Sequence, residues 1–222
     1  MSCKRVNSNL VVESECNLMT FDRDNLIDSI LASIDRMDYI KSDDIPNIDL
    51  YMDQLTTFME RNLENTRRYS DDKIMTKTMV NNYAKNDLLP PPIRKKYGKD
   101  HIIILIFIYY FKNFLSISDI KKLLGPITDK YFNKHDGLRL SDIYDEMFEQ
   151  SLKQVKDLKK FIEEKADEAL ETCKGADEKD RDFLYLFAFI CSLSFDAYVK
   201  KLMIEKLIDL MPEDDSLKRK KK

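Results

Sequence analysis

The sequence predicts an all-α protein, and three observations carry that prediction. Apolar residues recur at helical spacing along most of the chain, capping residues stand at the head of several of these stripes, and turn formers are scarce. Four glycines and six prolines in 222 residues are enough for a helical fold. They are too few for a turn-rich β fold, whose tight hairpins need positions with φ > 0.

In chain order, residues 1–19 predict a poorly ordered tail, without the apolar run of a secretory leader. Over 21–37, Leu26, Ile27, Ile30, Leu31 and Ile34 form a helical stripe with Asp22 or Asp24 as N-cap. Residues 41–47, containing Pro46, read as a linker. A second helix is expected over 49–65, with Leu50, Met52, Leu55, Phe58, Met59 and Leu63 inward, and a polar loop over 67–73. Thr76 then caps a shorter helix over 77–88, stopped by Pro90-Pro91-Pro92 because proline cannot continue it. Asp100 can cap the helix over 101–115, which is apolar nearly all round and so buried on most sides. Ser116 and Asp119 make a capping box for a helix ending at Gly125-Pro126. Residues 140–173 read as one long amphipathic helix or two in line, broken at Gly175. Residues 182–211 form a final, strongly apolar helix, and 212–222 a basic tail.

Several function classes find no support. Cys3, Cys16, Cys173 and Cys191 stand far apart, accompanied only by His101 and His135, so no metal centre is expected. The thiols read as reduced, in a cytoplasmic protein. No nucleophile elbow, Walker loop or zinc-protease motif occurs, and neither an enzyme nor a cofactor is expected. The apolar runs over 102–111 and 183–195 fall short of the roughly 20 residues that cross a bilayer. Both read as core helices of a soluble protein with no membrane partner.

The formal net charge of −3 argues against nucleic acid only in aggregate, since DNA responds to local patches. Lys73, Lys77, Lys85, Arg94, Lys95, Lys96 and Lys99 lie together against one acid, Asp87. They surround a short helix carrying Thr78, Asn81, Asn82 and Tyr83. Asn pairs with an adenine edge, Thr offers a methyl or hydroxyl, and Lys and Arg neutralise phosphates. A short polar helix, a basic turn and a buried helix are the ingredients of a winged helix-turn-helix. A solvated helix face beside a basic loop is the plainer reading of the same residues.

Residues 78–92, TMVNNYAKNDLLPPP, resemble the second helix of MerR-type regulators, T-I-R-Y-Y-E-K-x-G-L-L-x-P. Asn81 stands at the Arg position, Tyr83 at the second Tyr, and Lys85, Leu88 and Leu89 match. Residues 114–124, FLSISDIKKLL, resemble the G-F-S-L-x-E-I-x-x-L-L segment of that family. Together with residues 49–58, these blocks are similar to a bacterial domain-of-unknown-function family, number 1836, described as MerR-like. The resemblance departs at two points. The longer, glycine-containing wing is cut to Ile93–Tyr97, with Lys95 at its Arg position, and Asn81 lacks the bidentate donor of Arg.

The resemblance implies a MerR-like, truncated-wing helix-turn-helix domain over 20–128, with an extra N-terminal helix. A C-terminal bundle of long helices over 129–211 would dimerise or hold an unidentified small-molecule effector. The aromatic run Phe183, Tyr185, Phe187, Phe189, Phe195 and Tyr198 is either part of that function or plain core. The function expected is a DNA-binding transcription regulator, a homodimer on double-stranded DNA. Lys77, Thr78, Asn81, Asn82, Tyr83, Lys85, Arg94, Lys95, Lys96 and Lys99 form the DNA-binding group. A helical protein-interaction adaptor without DNA binding is the alternative.

Overall fold

The computed structural model describes residues 22–35, 39–172 and 174–212. The expected tail over 1–19, all but the first residue of the one over 212–222, and Cys3, Cys16 and Cys173 lie outside the described residues. The fold is mainly α, with one two-stranded sheet among the described residues. Helix α1 spans Arg23–Asp35, and Asp22 is its cap, its carboxylate accepting the Asn25 N–H at 3.2 Å. Strand β1 (Leu50–Tyr51) leads into α2 (Met52–Asn62), so the expected helix over 49–65 begins as a strand. Its partner is β2 (Lys96–Tyr97), paired antiparallel with Leu50 opposite Tyr97.

Helix α3 spans Lys77–Lys85, three residues shorter than expected. It ends in a Schellman motif before the prolines are reached. The Leu88 N–H donates to the Tyr83 carbonyl at 2.9 Å and the Asp87 N–H to that of Ala84 at 3.2 Å. Asp87 takes the left-handed φ of 55° that the motif requires. Burial of Leu88 and Leu89 rewards the early turn.

Helix α4 (Lys99–Phe111) is the hub, with the run Ile102–Ile106 fully buried. Gly98, not Asp100, caps it; the Asp100 carboxylate instead accepts the Asn133 N–H at 2.7 Å. Helix α5 (Ile117–Tyr131) starts at Ser116, whose Oγ accepts the Asp119 N–H at 3.1 Å as the sequence predicts. It runs on through Gly125-Pro126, against expectation. An interior proline costs about 3 kcal/mol, and Ile127 and Tyr131 offset it by packing on the core beyond the proline.

Helices α6 (Leu140–Lys153) and α7 (Val155–Leu170) are separate, parted at Gln154, and α8 spans Arg181–Leu210. The described chain forms two units. One takes α1 with Gln154–Val199; the other takes the described residues of 37–153 with those from Lys200 onward. The first helix therefore belongs with the C-terminal helices, and α6 with the module, unlike the expected boundary at 128.

The stretch read as a linker over 41–47 is part of the second unit. Ile40, Ser42 and Ile45 are buried, and the buried Tyr144 hydroxyl donates to the Ile40 carbonyl at 2.5 Å. The Asp145 carboxylate accepts the Ser42 N–H at 3.0 Å and its hydroxyl at 2.5 Å. In the first unit Ile34, Ile162, Ala166, Ala169, Tyr185 and Phe189 form a small core.

Helix α8 is not the core helix that its composition suggests. Only Tyr185, Phe189 and Ile208 of its side chains are buried, because a single face packs at any level of this 30-residue rod. By length and composition it is long and apolar enough to cross a membrane.

Candidate nucleic-acid interface

Helix α3 begins where Thr76 Oγ1 accepts the Met79 N–H at 3.2 Å. Val80 and Tyr83 point into the core, and this fixes what the opposite face presents. Lys77, Thr78, Asn81, Asn82 and Lys85, spaced i, i+1, i+4, i+5 and i+8, are all exposed on it. Tyr83 leaves this group: it is buried, and burial raises its phenol pKa. It anchors the helix instead.

The basic turn is a two-residue hairpin. Ile93 and Lys96 exchange both backbone hydrogen bonds, at 3.0 and 3.1 Å. The residues between them, Arg94 and Lys95, have φ of 51° and 64°. A hairpin with two positive φ values is the type I′ geometry that Asn-Gly ordinarily supplies. An L residue held there costs roughly 1–2 kcal/mol. The chain thus keeps two exposed cations at a strained tip. Lys96 and Lys99, beyond it, are only half-exposed.

His101 is the support beneath the hairpin, and not a phosphate contact. It is 2% exposed, and its ring packs edge-on against Tyr97 and Phe132. Its Nδ1 accepts the Gly98 N–H at 3.1 Å, which leaves Nε2 to donate to the Pro91 carbonyl at 3.4 Å. Burial lowers its pKa, against the opposing pull of that carbonyl and of Asp100 and Asp49. The neutral ring ties the proline segment to the head of α4.

Two contacts bring the short helix and the hairpin to one place. Lys77, in the first turn of α3, pairs with Asp53, and the Lys96 ammonium lies 5.1 Å from the centroid of the Tyr51 ring. Tyr51 and Asp53 are two residues apart at the β1–α2 junction. Neither was singled out from the sequence, where an exposed Tyr and Asp carry no signal. Asp53 opposes part of the charge of Lys77, so the cluster is less positive than its sequence suggests. The Asp87 carboxylate, by contrast, is turned to Lys121, outside the cluster, at 3.1 Å.

The connection between α2 and α3, residues 63–76, is far longer than the three or four residues of a tight helix-turn-helix. Glu60 holds it. Its Oε1 accepts the N–H groups of Ile74 and Met75 at 3.1 and 3.3 Å, and its Oε2 pairs with Arg67. Beside α2 lies an open groove of ≈ 620 Å³, lined by Pro46, Leu50, Phe58, Asp53, Gln54 and Arg61 among others. Among the described residues no three His, Cys, Asp or Glu side chains gather where a metal could sit.

Residues 40–147 match a family model described as a domain of unknown function (DUF1836). The match covers 108 of the 222 residues. Its ends have a physical meaning here, because Ile40 and Ser42 at one end bond to Tyr144 and Asp145 at the other. The matched segment therefore closes on itself and contains α3, the hairpin and His101. No curated protein and no solved structure matches the chain.

Proposed function

We propose that the DUF1836 domain binds double-stranded DNA in the manner of a winged helix-turn-helix, and that the chain is a transcription regulator. The observation that carries this reading is the convergence of the α3 face and the Arg94-Lys95 hairpin on the β1–α2 junction. Thr78, Asn81 and Asn82 read base edges in the major groove, while Lys85, Arg94 and Lys95 hold phosphates. Lys77, Lys96 and Lys99 add charge from partly engaged positions. The order strand, helix, helix, hairpin, helix supports the MerR-like resemblance; the long α2–α3 connection and the two-residue wing set it apart.

Binding to a randomised duplex pool, followed by fluorescence anisotropy at several salt concentrations with sequencing of the bound fraction, tests this. An enriched motif and a steep salt slope are expected. Alanine at Asn81 relaxes sequence preference, by about 1–3 kcal/mol at one base position. Alanine at Lys95 and Lys96 weakens binding on every sequence and flattens the slope. Equal losses on all sequences from both changes would sink this division of roles.

A second reading, a protein-interaction adaptor, draws on Ile48, Tyr51 and Ile93, all more than half exposed, and on the mixed apolar and acidic groove along α2. The absence of duplex binding at low salt would favour it.

A further inference from the structure

One face of α8 is apolar and exposed. Phe183, Phe187, Ile190, Ser194, Phe195 and Tyr198 recur at i, i+4, i+7, i+11, i+12 and i+15, the spacing of one helix face, and all are exposed. Cys191 shares that face and is also exposed. The opposite side carries Tyr185 and Phe189, already packed with Ile162, Ala166 and Ala169 of α7. No charged side chain interrupts the stripe, and the one acid of the segment, Asp196, falls outside this register. The five large residues are 52–69% exposed. With about 200 Å² for an aromatic side chain, they present on the order of 600 Å². That lies at the upper end for a soluble monomer's largest apolar patch. It approaches the ~800 Å² that each partner contributes to a standard interface.

We infer that this face of α8 pairs with the same face of a second copy of the chain, the two helices running antiparallel about a two-fold axis between Ile190 and Cys191. The sequence of the stripe selects the occupant and the register. An isologous contact must be self-complementary, and packed helices place large residues against small ones. With the axis there, Phe187 lies against the partner's Ser194 and Ile190 against the partner's Cys191. Phe183 and the partner's Tyr198 close the two ends. A parallel pairing would instead stack Phe187 on the partner's Phe187 and leave the small residues facing each other. A lipid surface is the less suitable occupant, since Ser194 and Cys191 form a shallow waist at the centre of the stripe where an inserting face wants bulk.

The inference rests on the proposed regulator only for its purpose, and its test is run without DNA, so the two readings fail separately. Sedimentation equilibrium of the full chain is expected to give twice the chain mass, and Ser194→Asp to halve it with helicity by circular dichroism unchanged. Phe187→Ala, on the same surface, weakens association without introducing a charge. A short bis-maleimide is expected to link wild-type chains covalently through Cys191, with the product lost in Cys191→Ser. A monomeric wild type at all concentrations overturns the proposal, as does a monomer that floats with phosphatidylcholine vesicles. A dimer that Ser194→Asp leaves intact, or that Cys191 does not cross-link, overturns the face and the register.

Discussion

At the scale of single residues, the site combines positions the sequence displays with positions it conceals. Lys77, Thr78, Asn81, Asn82 and Lys85 were legible because helical periodicity and one cap, Thr76, fix which face of a short helix is free. Arg94 and Lys95 were legible as charge but not as conformation, since nothing in Ile-Arg-Lys-Lys announces a type I′ turn where Asn-Gly would be ordinary. Their φ values of 51° and 64° make the tip a place where stability and charge conflict. Replacing both, Arg94→Asn with Lys95→Gly, is expected to stabilise the fold by about 1 kcal/mol in urea melts, by removing left-handed strain from two side chains. The same change removes two cations and should lower the slope of log affinity against log salt by roughly 2. Lower stability would mean the tip is not strained; unchanged affinity would mean that it does not touch the nucleic acid.

At the scale of elements, existence was easier to read than extent. The stripes of α1 and α3, the all-round apolar run of α4, the caps Thr76 and Ser116, and one of the two candidate caps of α1, Asp22, were legible, since each is a local feature. Two of the other boundaries are decided at a distance. Leu50 and Tyr51 are a strand because β2 pairs with them 46 residues later, and α5 continues past Pro126 because core contacts reward it. Polarity makes the α2–α3 connection legible as a loop, while its anchor is not, Glu60 being an ordinary acid on an amphipathic helix. Glu60→Ala is expected to cost about 2 kcal/mol, since it strips an acceptor from two backbone N–H groups and a partner from Arg67. The change should raise hydrogen exchange at Ile74 and Met75 before it affects α4. Glu60→Gln keeps an acceptor for the backbone and should restore most of that protection. Protection unchanged in Glu60→Ala would show that the loop holds its course by other contacts.

At the scale of the whole chain, the expected boundary lies at residue 128, and the two compact units divide elsewhere. The family match ends near 147, where α6 carries Tyr144 and Asp145 back to the segment at 40–42, a closure between residues about a hundred apart that no local pattern reports. Helix α8 is shared in sequence between the units: Tyr185 and Phe189 belong to the small core with α7, and Ile208 to the large core around α4. Near Ile208, the Lys122 ammonium also reaches the Asp209 carbonyl at 3.4 Å. The last turns of α8 are therefore structural for the matched segment, although the family match stops 61 residues before Ile208. Ile208 is 3% exposed, and truncating a buried Ile to Ala costs about 3 kcal/mol through lost burial and the cavity left behind. Ile208→Ala is expected to lower hydrogen-exchange protection at Ile102–Ile106 of α4 by that amount while leaving Ile162 and Ala166 of α7 unchanged. Loss of protection in both places would show that the units unfold as one. Loss in neither would show that the matched segment is complete without the end of α8.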